Sequence, residues 1–127
     1  MNSNQKGKRA ELELANLLKD YGFHDARRSQ QYNGIGEGDV VGLNNIHIEC
    51  KRVEKLNVYK AMEQAEDECK GLVPIVMHRK NNEEWKVTMQ LDDWVDFYRE
   101  WVKFNKQRKI KSKWGKCNEV KYYNACL

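Results

Sequence analysis

Little in this chain interrupts a backbone: its 127 residues include one proline, Pro74, and eight glycines, with no low-complexity run and no internal repeat. Disorder and repeat architectures are therefore not the expectation, and a 40% hydrophobic content suits one domain with one core. The four cysteines Cys50, Cys69, Cys117 and Cys126 show no CxxC spacing and pair with no histidine at zinc-ligand spacing, which favours reduced thiols over a metal or disulfide framework. No apolar stretch approaches the length of a membrane span, and Met1-Asn2-Ser3-Asn4-Gln5-Lys6 lacks the hydrophobic segment of a signal peptide, so the expected location is cytoplasmic. Three alternating glycines in Asn33-Gly34-Ile35-Gly36-Glu37-Gly38 precede a strand instead of a helix and lack a Gly-Lys-Ser/Thr ending. That excludes a nucleotide cradle and leaves a flexible loop that lets a backbone approach, or that closes on, the residue after it.

Charge is unevenly spread. From Arg99 onward nine basic residues face only Glu100 and Glu119, a net of +7 within a chain of +4, so the remainder carries −3. A basic tail on an acidic core points to a polyanionic partner, nucleic acid first among them. A solvated C-terminus is the plain alternative. Trp114, Tyr122 and Tyr123 count against complete disorder, because aromatics among lysines either pack on a domain or stack on bases.

The chemistry concentrates in Gly38-Asp39-Val40-Val41-Gly42-Leu43-Asn44-Asn45-Ile46-His47-Ile48-Glu49-Cys50-Lys51. Side chains on a strand alternate between faces, so a three-residue loop Leu43-Asn44-Asn45, with Asn45 left-handed, sets Asp39 opposite Glu49. In that register Asp39, Val41, His47, Glu49 and Lys51 share one face, and Val40, Ile46, Ile48 and Cys50 pack against a helix. A two-residue loop would shift the pairing and part the two acids. Two carboxylates with a lysine on rigid strands make a small divalent-metal site with an ammonium beside it, as phosphodiester hydrolysis requires.

The remaining pattern places the site among other elements. Ala10, Leu14, Leu17, Leu18 and Tyr21 recur at helical spacing from Lys6 to Tyr21, with Gly22 as the stop and Glu11 bordering the buried stripe while Glu13 points further round. Lys6, Lys8 and Arg9 crowd the start of that helix, against its dipole, which suggests phosphate contact. A first strand is expected over His24 to Gln31, with Arg27 and Arg28 near its end. After the hairpin, Asn57 caps a helix over Val58 to Lys70 with Val58, Met62, Ala65 and Cys69 inward and Gly71 as the stop. Strands follow at Leu72 to His78 and Glu84 to Leu91, separated by a turn at Asn81-Asn82. Asp92 or Asp93 then caps a last helix carrying Trp94, Tyr98, Trp101 and Val102 inward. Helix, three strands, helix, two strands, helix is an α/β fold with a mixed central sheet of about five strands flanked by helices. The expected division is a domain over 1–104 and a basic extension over 105–127.

These residues resemble the PD-(D/E)XK nuclease superfamily, and more narrowly the archaeal-type Holliday-junction resolvases and their phage-borne relatives. The resemblance rests on Lys6-Gly7-Lys8-Arg9-Ala10-Glu11, Gly38-Asp39 and Glu49-Cys50-Lys51, with Arg52-Val53-Glu54-Lys55-Leu56-Asn57 and Ala61-Met62-Glu63-Gln64-Ala65-Glu66 closest to the phage members. It spans roughly Lys6 to Leu91. Gly38 stands where the superfamily has proline. The resemblance implies a restriction-endonuclease-like core and a homodimer acting on branched DNA in a bacterial or phage-infected cell. It also implies Asp39, Glu49 and the carbonyl of Cys50 as ligands of Mg²⁺ or Mn²⁺, and Glu11 acting through metal-bound water or a second ion. Lys51 would orient the attacking water.

Candidate DNA-contacting cations are Lys6, Lys8, Arg9, Arg27, Arg28, Arg52, Arg79 and Lys80, joined by Lys109, Lys111 and Lys113 of the tail. His47, beside Glu49, is read either as a hydrogen-bonded structural residue or as a base. Gln64 is either a contact to water or phosphate or an exposed helix residue, and His78 with its neighbours either meets phosphate or ends a strand in solvent. Two other functions compete with junction resolution. One is a site-specific or nicking endonuclease on the same core, and the other is a DNA-binding protein that kept the fold without the chemistry.

Overall fold

A computed structural model describes residues 3–30 and 38–106. The glycine loop up to Glu37, the tail lysines Lys109, Lys111 and Lys113, the aromatics Trp114, Tyr122 and Tyr123, and Cys117 and Cys126 lie outside the described residues. Residues up to Gln90 form one compact unit and those from Leu91 a second.

The first unit opens with α1 (Ser3–Asp20), followed by β1 (Arg27–Arg28), β2 (Val40–Val41), β3 (Ile46–Arg52), α2 (Val58–Glu68), β4 (Val73–Arg79) and β5 (Lys86–Met89). The five strands lie side by side in chain order, with β3 and β4 parallel and every other pair antiparallel. This is the mixed five-stranded α/β sheet expected from the sequence. The crossover through α2 is what lets β3 and β4 run the same way.

α1 begins three residues earlier than its apolar stripe indicates and ends in a Schellman motif. Phe23 N donates to Leu18 O at 3.1 Å and Gly22 N to Lys19 O at 2.9 Å, with Gly22 at φ +104°. The chain turns away there, so Tyr21, expected in the buried stripe, is 73% exposed. Ala10, Leu14, Ala15 and Leu18 instead pack on Ala26, Val40, Ile48 and Cys50. On the other face of the sheet, Ala61, Met62 and Ala65 of α2 pack on Val76, with Leu56 alongside. Asn57 caps α2 as expected, accepting from Lys60 N at 3.1 Å.

The hairpin between β2 and β3 has the three-residue loop on which the site depends. Val40 pairs with Ile48 and Asn45 has φ 71°, the left-handed conformation anticipated for it. Gly42 completes the turn beneath the chain before β1: at φ +104°, a Cβ there would sit 2.0 Å from Asp25 O. Among the described residues β1 has two residues, fewer than the expected span His24 to Gln31. Pro74 precedes the residues of β4 that pair with β5, so its missing N–H leaves that ladder intact.

The second unit is α3 (Leu91–Asn105). Asp92 and Asp93 lie inside its first turn instead of capping it, where carboxylates favour the helix dipole. Trp94, expected inward, is 48% exposed and heads a ladder of rings, stacked on Tyr98 at 5.1 Å, with Tyr98 on Trp101 at 6.0 Å. No helix among the described residues is long and apolar enough to cross a membrane.

Candidate active site

β3 carries His47, Glu49 and Lys51 on the face that meets α2, while Ile48 and Cys50 turn toward α1. Asp39 lies one residue before β2, at the junction of three strands. Its N–H donates to Ile48 O at 2.8 Å and its carbonyl accepts from Ser29 N at 3.0 Å. Its carboxylate accepts from Cys50 N at 2.8 Å. The acid is thus pinned by main chain on both sides.

Gly38 explains the departure from the superfamily's proline. Its φ of +105° lies outside anything a pyrrolidine ring permits, and a Cβ would fall 2.9 Å from Ile48 O and 3.3 Å from His47 Nδ1. The chain passes so close to β3 here that only a hydrogen fits.

Glu49 is 1% exposed. Its Oε1 is 2.9 Å from His47 Nε2, and its Oε2 is buried without a hydrogen-bond partner. Burial first, then the charges of Asp39 and Glu68, push its pKa up to about 9. A carboxyl so placed needs either a proton or a cation. An orphaned buried carboxylate oxygen with the Asp39 and Glu68 carboxylates nearby fits a divalent ion. The Cys50 thiol is no competitor: burial and the adjacent Asp39 hold its pKa well above the usual thiol range. Cys50 contributes main chain.

Glu11 reaches the site from α1. It shares a cleft of about 350 Å³ with Asp39, Lys8 and Arg28, and its Oε2 accepts from Arg28 Nε at 3.0 Å. Burial raises its pKa, Arg28 opposes the rise, and Asp39 adds to it. Lys51, on the same strand face as Glu49, donates from Nζ to Gln64 Oε1 on α2 at 3.0 Å. Gln64 therefore meets the lysine of the site.

The other candidate cations have distinct surroundings. Lys8 and Arg9 are exposed and Lys6 partly so, while Arg27 donates to Asp25 O at 3.0 Å. Arg79 grips Glu13 with two bonds, Nε to Oε1 at 2.7 Å and NH2 to Oε2 at 2.9 Å, and lies over the Trp85 ring. Arg52 NH1 and Trp85 Nε1 close on the same carboxylate at 3.4 and 3.1 Å. Glu13 is thus the hub of a clamp between α1 and the far ends of β3 and β4, a role its helical position alone did not reveal. Its pKa is lowered, chiefly by Arg79. His78 joins β4 to β5 through Thr88 Oγ1 at 2.8 Å, and Lys80 stands exposed in the turn beyond.

A five-stranded mixed sheet with two acids and a lysine on and beside its central parallel strand has the layout of a nuclease of the PD-(D/E)XK superfamily. The chain matches the family model described as archaeal Holliday junction resolvase (Hjc) over residues 2–109, and it belongs to that family. No curated protein and no solved structure matches it.

Proposed function

We propose that this protein is a divalent-metal-dependent, structure-specific endonuclease that hydrolyses phosphodiester bonds of branched DNA, with the Holliday junction as its first substrate, and that it works as a homodimer. The observation that carries this reading is the pair Asp39 and Glu49, converging with a buried carboxylate oxygen unsatisfied. Family membership supports the nuclease class and the branched substrate.

Asp39 and Glu49, with the carbonyl of Cys50, would hold Mg²⁺ or Mn²⁺, and Glu11 completes the acidic rim from α1. The chemistry such an ion contributes is neutralisation of phosphate charge and activation of water. Lys51 supplies an ammonium for the charge that develops on the phosphoryl oxygens, and its bond to Gln64 keeps the long side chain on the site's face. Lys8 lines the cleft, and with Lys6 and Arg9 of the same helix it would hold the DNA backbone. The basic segment 105–127 extends the nuclease domain and adds phosphate contacts.

The test is cleavage of four-way junction, flap and linear duplex by purified protein, with Mg²⁺ and with chelator. Junction cutting that needs the ion is expected. Sequence-dependent cutting of linear duplex would replace resolution with a site-specific activity.

A further inference from the structure

We propose that His47, Glu49 and Glu68 form a second cation subsite on the α2 side of β3, selective for a divalent transition ion over Mg²⁺ and sharing Glu49 with the Asp39 site. One ligand atom from each residue lies within 4.8 Å of the other two. The strand supplies His47 and Glu49 two positions apart, hence on one face, and the last residue of α2 brings Glu68 over them.

Two further observations separate this group from an ordinary patch of surface acids. His47 and Glu49 are each 1% exposed, so the fold has buried an imidazole and a carboxyl together. Glu49 Oε2 is buried there without a hydrogen-bond donor. Lys51, two residues on, is directed at Gln64 instead.

Access is separate as well. His47 and Glu68 line a cleft of about 640 Å³ that runs along the β2–β3 hairpin beside Gly42 and Asn44, whereas Asp39 and Glu11 open into a different one. Glu49 itself lines neither cleft and touches the His47 ring, its Oε1 lying 2.9 Å from Nε2. One imidazole nitrogen with carboxylate oxygens suits Mn²⁺, Co²⁺ or Zn²⁺, while Mg²⁺ prefers an all-oxygen shell with retained water.

The inference leans on the nuclease reading only in sharing Glu49, and Co²⁺ serves as the probe. The untagged full chain and its Asp39→Asn variant are titrated with Co²⁺ and followed by visible absorption, with excess Mg²⁺ as competitor. Asp39→Asn should retain one Co²⁺ that Mg²⁺ does not displace. Adding Glu68→Gln should weaken that ion at least about tenfold, and adding His47→Gln should shift the absorption bands. Failure of Asp39→Asn to bind Co²⁺, complete displacement by Mg²⁺, or unchanged binding in Glu68→Gln would each overturn the subsite. Should His47→Gln not fold, Glu68→Gln at the end of α2 decides alone. Absence of metal-dependent junction cleavage in the wild-type chain would sink the nuclease reading and leave the subsite standing, whereas failure of Asp39→Asn to bind Co²⁺ would do the reverse.

Discussion

The backbone N–H of Cys50 donates to the Asp39 carboxylate at 2.8 Å, so the aim of the first acid is fixed by the strand that carries the second. Neither carboxylate depends on a long flexible side chain for its position, which is the preorganisation a small cation site requires. Asp39→Asn and Lys51→Ala are therefore expected to cut junction cleavage by about 10²-fold or more each while leaving the fold and junction binding in place. Single-turnover cleavage alongside gel-shift affinity measures the two separately. Cleavage unchanged in both variants would remove Asp39 and Lys51 from the chemistry, and junction binding without cleavage in the wild type would favour a binding protein that merely kept the fold.

Burial of Glu49 makes metal-free stability depend on pH in a defined direction. Its folded pKa is raised from 4.5 to about 9, so the folded state holds a proton that the unfolded state releases across that window. Without metal, stability from this group is full below about 4.5 and declines as pH rises toward about 9, by at most about 1.4 kcal/mol per pH unit. Glu49→Gln should flatten the decline and also abolish the stabilisation by Mn²⁺ expected in wild type. Denaturant melts in chelator and in Mn²⁺ across the pH range supply the comparison, and a wild-type slope of the opposite sign would contradict it.

Glu13 serves stability, not chemistry. Glu13→Ala removes the acceptor for Arg79, Arg52 and Trp85 together, and should cost about 2 kcal/mol. Because the Glu13 pKa is lowered, its contribution is present above the ordinary carboxylate range and fades as pH falls below about 4.5. Urea unfolding at neutral and acid pH would show a difference between wild type and variant that shrinks in acid. Equal stability at neutral pH would remove the clamp from the account.

Gly38→Ala places a Cβ 2.9 Å from Ile48 O on a backbone at φ +105°. A loss of about 1–3 kcal/mol is expected, with cleavage falling further than stability because Asp39 is the next residue. Thermal melts and cleavage rates on the same preparation would show the disparity. An alanine variant that melts and cuts like wild type would mean the close approach to β3 is not required.

If the basic tail touches DNA, deleting the chain after Asn105 should lower the dependence of log affinity on log salt by about 0.9 for each phosphate that the shortened protein no longer neutralises. Titrations of junction DNA at several salt concentrations measure that slope. An unchanged slope would assign the tail to some other purpose.

Much of this molecule was determined by short-range pattern. Alternation in β2 and β3, together with a left-handed asparagine at position 45, set the register that puts Asp39 and Glu49 together, because a period of two admits no intermediate pairing. Glycine and asparagine marked the end of α1 and the start of α2 by the same local logic. What the sequence could not supply was anything decided between elements far apart in the chain. Glu13 meets Arg79 across 66 residues and Trp85 across 72, and Glu68 comes over His47 and Glu49 only because α2 lies across the strand. Tyr21 fits the helical stripe yet lies in solvent, since Gly22 turns the chain before the sheet can cover it. Periodicity says which face a side chain takes, but only the packing of helix on sheet says what waits there.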